Sequence, residues 1–100
     1  MNNITDNTNP FESYSQKQIR EEIKLAKQYF ETHYSEDISI EAYASSRGMS
    51  ACWFRRNFRN IEMISPLQYL INLRLRRAMD LLKTSDYSIG EISNMVGYND

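Results

Sequence analysis

The sequence predicts an all-α fold, and three observations support that class. Apolar residues recur every three or four positions through most of the chain, as they do along one face of an amphipathic helix. Serines that suit helix N-caps precede these periodic segments, and glycines follow two of them. The sequence lacks the signature of a β-hairpin, which is two alternating apolar runs on either side of a tight-turn signal.

A first helix is predicted between Ser15 and Tyr34. We interpret His33 as a packing residue at the edge of the core, because the sequence has no second histidine and no acidic cluster at metal-ligand spacing. Residues 1–15 are predicted to form a disordered tail, since this segment opens on polar residues rich in asparagine and threonine. The inward face of the helix is predicted to consist of Ile19, Ile23, Ala26, Phe30 and His33.

Two shorter helices are predicted next. Ser39 suits the N-cap of a helix from Ile40 to about Arg47, and Gly48 suits the position after its end. Ser50 suits the N-cap of a third helix, which extends over residues 51–60. The inward side chains of this third helix are predicted to be Phe54 and Phe58.

The last two predicted helices begin with capping-box patterns, in which a serine and a Glu or Gln three residues later satisfy each other's backbone N–H groups. Residues 65–68, with Pro66 at the first helical position, begin a long helix that extends to about Leu82. Residues 88–91 begin a short helix that extends to about Val96 and is closed by a glycine. The apolar members predicted for the long helix are Leu70, Leu73, Ala78, Leu81 and Leu82.

The chain contains an internal repeat. Residues 39–50 read SIEAYASSRGMS, and residues 88–99 read SIGEISNMVGYN. Each copy has a capping serine, a short helix, a small residue, a glycine and a bulky apolar residue. A helix-turn-helix needs these features, because its two helices cross closely and its turn needs a left-handed residue. The predicted crossing and turn residues are Ala44, Gly48 and Met49 in the first copy and Ser93 and Gly97 in the second.

The distribution of charge favours a nucleic-acid partner. The net charge is −1, but residues 47–77 hold seven arginines and a single acidic residue, while the segments on either side are acidic. Arginine is suited to bidentate contacts with phosphates and guanine edges. The plain alternatives are a solvated helix face and an ordinary helical hairpin. Two repeats in register around an arginine-rich segment favour the helix-turn-helix.

The predicted helix 51–60 is the candidate recognition helix of the first copy. Arg55 and Arg56 are suited to bidentate contacts with guanine O6 and N7. Trp53 is predicted either to pack on the DNA backbone or to be a half-buried core aromatic, and the sequence leaves both alternatives open. The face opposite the two phenylalanines carries Cys52, Arg55, Arg56 and Arg59.

The second copy has no corresponding helix, because that helix would begin at residue 100, where the chain ends. We therefore expect the second recognition helix to be missing. We also expect Ile92, Met95 and Val96 to be poorly covered, which would favour association with another protein.

These residues resemble the AraC/XylS family of bacterial transcription regulators. The resemblance extends from about Ile19 to Asp100. The matching motifs are S-I-x-x-x-A-x-x-x-G-M-S (39–50), W-F-R-R-x-F-R (53–59), S-P-x-x-Y-L (65–70), L-R-L-x-R-A-x-x-L-L (73–82) and S-I-x-E-I-S-x-x-V-G-Y-x-D (88–100).

The resemblance implies two helix-turn-helix subdomains joined by a long connector helix, the second subdomain lacking its recognition helix. Met63 stands where the family usually has glycine, so a left-handed, strained residue is expected there. The implied organisation is a disordered tail (1–15), a first helix-turn-helix subdomain (16–64), a connector helix (65–83) and the incomplete start of a second subdomain (84–100).

The resemblance also implies the DNA contacts. Base-reading positions are Cys52, Arg55 and Arg56. Positions that contact the DNA backbone are Ser50, Trp53 and Arg59. Of the connector arginines Arg74, Arg76 and Arg77, some are expected to contact phosphate and others to join the subdomains, for example by pairing with acidic groups.

The expected function is that of a cytoplasmic, sequence-specific transcription regulator that inserts helix 51–60 into the major groove of double-stranded DNA. An activator is one expected form of it, and RNA polymerase is a candidate second partner. The alternative is an interaction module that binds another regulator or RNA polymerase. We expect no catalytic activity, no cofactor, no metal and no membrane partner. A small-molecule effector is not expected in this segment, because the tail before the first helix is too short to form a sensing domain.

Overall fold

The computed structural model describes residues 14–98, and every regular element in that range is an α-helix. The all-α prediction is therefore confirmed. Most of the predicted tail lies outside the described residues. The helices are α1 (Gln16–His33), α2 (Ile40–Ser46), α3 (Ala51–Glu62), α4 (Pro66–Thr84) and α5 (Ile89–Met95).

Each of these helices follows a serine whose Oγ accepts a hydrogen bond from the backbone N–H three residues later. At Ser88 the predicted capping box is complete, because the Glu91 carboxylate accepts the Ser88 N–H at 2.8 Å. The box predicted at Ser65 is only half formed, since the Gln68 side chain donates to Asn72 Oδ1 at 2.9 Å instead. The capping serines are Ser15, Ser39, Ser50, Ser65 and Ser88.

The main core lies between α1, α2, α3 and the first half of α4. Phe30, Phe54 and Phe58 are completely buried at its centre, and the Phe30 and Phe58 ring centroids are 6.2 Å apart. Such aromatic clusters stabilise a small core through both buried area and ring geometry. The predicted inward face of α1 is confirmed at Ile23, Ala26 and Phe30, while Ile19 and His33 lie at the edge of the core.

Polar contacts join the helices around this core. The Arg47 guanidinium donates to both carboxylate oxygens of Glu22, at 3.1 and 3.0 Å, and this joins the end of α2 to α1. The Tyr69 hydroxyl donates to Glu31 at 2.7 Å and joins α4 to α1. Burial and this hydrogen bond raise the pKa of Tyr69, so its phenol stays protonated and remains a donor.

A smaller cluster lies between the second half of α4 and α5. It contains Leu81, Ile92 and Val96, with Ala78 packed against them. The expectation that Ile92 and Val96 would be poorly covered is wrong, because their exposed fractions are 3% and 1%. Met95, in contrast, is 41% exposed, as expected.

The two consecutive leucines near the end of α4 differ in burial. Leu82, predicted as an apolar member of this helix, is 56% exposed. Leu81 occupies the inward position at that level of the helix, and adjacent residues of a helix point about 100° apart. Two consecutive leucines therefore cannot both face the same neighbour.

In residues 14–98, no helix combines the length and the apolar composition needed to cross a lipid bilayer.

Candidate nucleic-acid interface

The two repeated segments adopt the same backbone conformation at their turns. The residues after α2 and α5, Arg47 and Val96, both have φ −96° and ψ 4°. The glycines that follow have positive φ, 74° at Gly48 and 106° at Gly97. In each turn a backbone N–H reaches back five residues, from Met49 to Ala44 O at 2.8 Å and from Tyr98 to Ser93 O at 2.9 Å. Residues that are 49 positions apart in the sequence therefore have equivalent places in the two turns.

The two turns differ in how their corners are filled. Ala44 is completely buried and Met49 is 4% exposed, so the first corner is part of the main core. Ser93 is half-buried, and its Oγ donates to Tyr98 O at 3.2 Å. Tyr98 is 40% exposed. The first turn is therefore closed against α3, while the second corner remains partly open in the described residues.

Helix α3 has one buried face and one exposed face. Phe54 and Phe58 hold it against the core. The exposed face carries residues at steps of three, one and three, which place them on one side of a helix. We call this set the α3 arginine face, and its members are Cys52, Arg55, Arg56 and Arg59.

Arg55 is directed outward and is engaged by a residue of α2. Its NH2 group donates to Glu41 Oε2, and both side chains are largely exposed, with relative accessibilities of 47% for Arg55 and 64% for Glu41. The hydrogen bond from Arg55 lowers the pKa of the Glu41 carboxyl. Arg55 is therefore neither buried nor isolated.

Ser50 and Trp53 stand at the start of α3. Ser50 is exposed, and its Oγ accepts the Trp53 N–H at 3.1 Å as the N-cap of the helix. Trp53 is 3% exposed and belongs to the main core, with its ring edge-on to Tyr14 at a centroid distance of 6.0 Å. Of the two alternatives for Trp53, the structure favours core packing over contact with the DNA backbone, because so little of its surface is accessible.

The connector arginines lie in different environments. Arg74 is half-buried and donates to two backbone carbonyls at the end of α1, Tyr34 O at 2.8 Å and Glu36 O at 2.9 Å. Its guanidinium also lies 5.1 Å from the centroid of the Tyr98 ring. The partners of Arg74 are thus carbonyls and an aromatic ring rather than the acidic groups suggested above. Arg76 and Arg77 are exposed.

Gly97 is in close contact with the same arginine. A Cβ at this position would lie 3.0 Å from Arg74 Nε and 3.1 Å from Tyr34 O. Together with the positive φ of 106°, this close contact strongly favours glycine at the position. Arg74 therefore joins the end of α1, the middle of α4 and the turn after α5.

Groups of three or more His, Cys, Asp or Glu side chains placed to hold a metal ion are absent from residues 14–98. The interface described above consists of arginines, a thiol and a helix N-terminus. These groups suit the binding of anions and of base edges.

Comparison with known proteins places this architecture in a class. The family model described as "Helix-turn-helix domain" matches residues 43–100, more than half of the chain. That match begins in α2 and includes both repeated turns. The fold, the paired turns and the matched model define a helix-turn-helix protein.

Individual relatives narrow the class to one family. The chain is 33% identical over 72 residues to the HTH-type transcriptional activators RhaS of Salmonella arizonae and Salmonella newport, a match that covers 72% of this chain and 26% of each relative. It is also 30% identical to the solved C-terminal domain of AraT, a response regulator from Geobacillus stearothermophilus. In that comparison the TM-score is 0.73, and 76% of this chain and 64% of the AraT chain are covered. The chain belongs to the AraC/XylS family, and it spans about a quarter of the length of the curated relatives it matches.

Two features of the interface were not found from the sequence. The contact between Glu41 and Arg55 joins two helices, so no three- or four-residue spacing indicated it. The carbonyl partners of Arg74 gave no signal either, because every residue has a backbone carbonyl. The one sequence signal for the contact between Glu41 and Arg55 was the position of Glu41 in the first turn of α2, the helix that precedes the arginines of α3.

Proposed function

We propose that this chain is the DNA-binding part of a transcription regulator and that α3 enters the major groove of double-stranded DNA. The α3 arginine face is the observation that carries the proposal. A helix held by two buried phenylalanines presents its outer side rigidly, and a major groove about 12 Å wide admits one helix. Three arginines on that side suit a polyanion.

Each member of the face has a proposed role. Arg55 and Arg56 are proposed to read base edges, because they lie in the first half of α3, where the residues of a recognition helix meet the bases. Cys52, one turn earlier, is proposed as a further base-reading residue. Ser50 and Arg59 flank them and would contact phosphates. The N-terminus of α3 adds a favourable field for phosphate. Arg76 and Arg77 are exposed on α4 and are proposed as further phosphate contacts.

The relatives support a regulatory role for the whole protein. RhaS is named a transcriptional activator, and AraT a response regulator. We infer that the protein containing this chain activates transcription in the bacterial cytoplasm, with RNA polymerase as a candidate second partner.

The test is a titration of fluorescent duplex DNA of mixed sequence, followed by anisotropy at several salt concentrations. The logarithm of the association constant should fall linearly with the logarithm of salt, by about 0.9 for each phosphate that is neutralised. Arg59→Ala should weaken binding to all sequences alike and reduce that slope by roughly 1. The matched control is Arg20→Ala, which removes one exposed arginine from α1. Absence of binding even at low salt would contradict the proposal.

The groove is tested separately, on duplexes selected by the chain from a random pool. Guanine N7 lies in the major groove, so its methylation should block binding at the positions that Arg55 and Arg56 read. A small ligand that occupies only the minor groove should compete weakly. The opposite pattern would contradict insertion of α3 into the major groove.

A second candidate function is an interaction module that binds another regulator or RNA polymerase. The observation in its favour is the exposed apolar surface of α4 and α5. Leu75, Met79 and Leu82 are each more than half exposed, and Ile89 is 77% exposed, whereas its counterpart Ile40 in the first repeat is 6% exposed. A negative DNA titration together with co-purification of a full-length regulator would favour this alternative.

A further inference from the structure

The contact between α2 and α3 brings a carboxylate to the α3 arginine face. Glu41 is the second residue of α2, and its Oε2 accepts a hydrogen bond from Arg55 NH2. Its other oxygen, Oε1, lies 3.5 Å from the Ser39 hydroxyl, which can donate to it. The carboxylate is thus oriented from both sides, and it stands in the first turn of α2, where the helix dipole favours a negative charge.

We infer that Glu41 determines specificity, by holding the Arg55 guanidinium in place for base recognition and away from phosphate. The inference rests on the proposed function, since it assumes that Arg55 meets DNA. Glu41 is a positioning residue in this account: it acts on the DNA through Arg55.

The geometry leaves Arg55 able to read a base while it is held. A guanidinium has five N–H donors in a planar fork, and Glu41 uses NH2 alone. The remaining donors suffice for a bidentate contact with guanine O6 and N7. An arginine side chain otherwise loses considerable rotamer freedom when it binds, so holding it beforehand reduces that cost.

The charge of Glu41 adds discrimination of a second kind. The hydrogen bond from Arg55 lowers the pKa of the Glu41 carboxyl, so the group is ionised at neutral pH. A carboxylate this close to the α3 arginine face repels phosphates. It also neutralises the positive charge of Arg55, which would otherwise bind the phosphates of any DNA sequence. Binding to arbitrary sequence is therefore weakened, while the correct base gives Arg55 a partner in addition to Glu41.

The experiment compares Glu41→Gln with the unchanged chain and with Glu21→Gln. The substitution at Glu41 keeps the size of the side chain and removes its charge. Glu21 is an exposed acidic residue of α1, so its variant makes the same change in net charge away from α3. Two probes are used. One is a duplex selected from a random pool by the unchanged chain, with single-base-pair variants of it, and the other is a mixed-sequence duplex.

We expect Glu41→Gln to bind the mixed-sequence duplex more tightly, with a salt slope steeper by about 0.9, because Arg55 becomes free to neutralise one more phosphate. Discrimination at one base pair of the selected duplex should fall by about tenfold, within the range of a single bidentate contact. Glu21→Gln should retain both the salt slope and the discrimination. In an Arg55→Ala background, Glu41→Gln should cause no further loss at that base pair.

Two outcomes would overturn the inference, and they differ from failure of the proposed function. If Glu41→Gln retains full discrimination, or loses it equally in the Arg55→Ala background, Glu41 does not act through Arg55. If the unchanged chain binds neither duplex at low salt, the proposed function itself fails. Circular dichroism of each variant shows whether it is folded, and the exposure of Glu41 predicts that its variant is.

Discussion

At the scale of single residues, Met63 bears the clearest backbone strain in residues 14–98. It is the one non-glycine residue there with a positive φ, at 67°, and it closes α3 through a hydrogen bond from its N–H to Arg59 O at 2.8 Å. The expected left-handed conformation at this position is therefore observed. Its side chain is 78% exposed, so little packing offsets the strain.

Met63→Gly should raise the free energy of unfolding by about 1 kcal/mol, because glycine adopts the left-handed region without a Cβ clash. Urea unfolding followed by circular dichroism measures this change. Met63→Ala is the control, since it keeps the Cβ and removes the rest of the side chain. Equal stability of the glycine and alanine variants would show that the backbone at this turn is not strained.

At the scale of the helices, the existence of each helix and the order of the helices could be predicted well from the sequence, because serine caps and apolar periodicity are local signals. The starts of α2, α3 and α4 agree with the predictions. The end of α3 is two residues later than predicted, since Ile61 and Glu62 continue the helix to the strained Met63. The exposure of Leu82 could not be predicted from α4 alone, because it depends on the direction from which α5 approaches.

Helix α5 is short and depends on its cap. It has seven residues, and an isolated helix of that length is not stable in water. Its start is held by the reciprocal hydrogen bonds of Ser88 and Glu91, 3.1 Å from the Glu91 N–H to Ser88 Oγ and 2.8 Å in the other direction. We therefore expect α5 to open more readily than α1 or α3.

Ser88→Ala should destabilise α5 by about 1 kcal/mol, the usual effect of losing an N-cap serine. Amide hydrogen exchange should then become faster in α5, while protection of α1 and α3 stays the same. Ser35→Ala, which changes an exposed serine in the loop between α1 and α2, is the control. Uniformly faster exchange throughout the chain would contradict this local account.

At the scale of the whole molecule, Arg74 connects the segment after α1 with the turn after α5. It reaches from α4 to the carbonyls of Tyr34 and Glu36 and to the ring of Tyr98. The sequence shows an arginine on the connector helix, but it does not indicate that the carbonyl partners of this arginine lie 40 and 38 residues away along the chain. Contacts with backbone carbonyls depend on the assembled fold, so the pattern of side chains in a sequence does not predict them.

Arg74→Ala should lower the free energy of unfolding by about 2 kcal/mol, because two carbonyl contacts and one cation–π contact are lost together. It should also speed amide exchange in α5, and Arg74→Lys should restore only part of the protection because lysine lacks the planar fork. Arg76→Ala, an exposed neighbour on the same helix, should leave stability unchanged and reduce the salt slope of DNA binding by about 0.9. Equal effects of the alanine variants on stability would contradict the distinction drawn between these arginines.

If the outer face of α3 meets DNA, as we propose, a side chain on that face can report the contact. Cys52 is the single cysteine of the sequence and is exposed on that face. The direct measurement is the rate at which a maleimide alkylates Cys52 with and without duplex DNA, with saturation verified by anisotropy. Bound DNA should protect the thiol in proportion to the fraction of chain bound. An unchanged rate on fully bound chain would show that the outer face of α3 faces solvent while the DNA lies elsewhere.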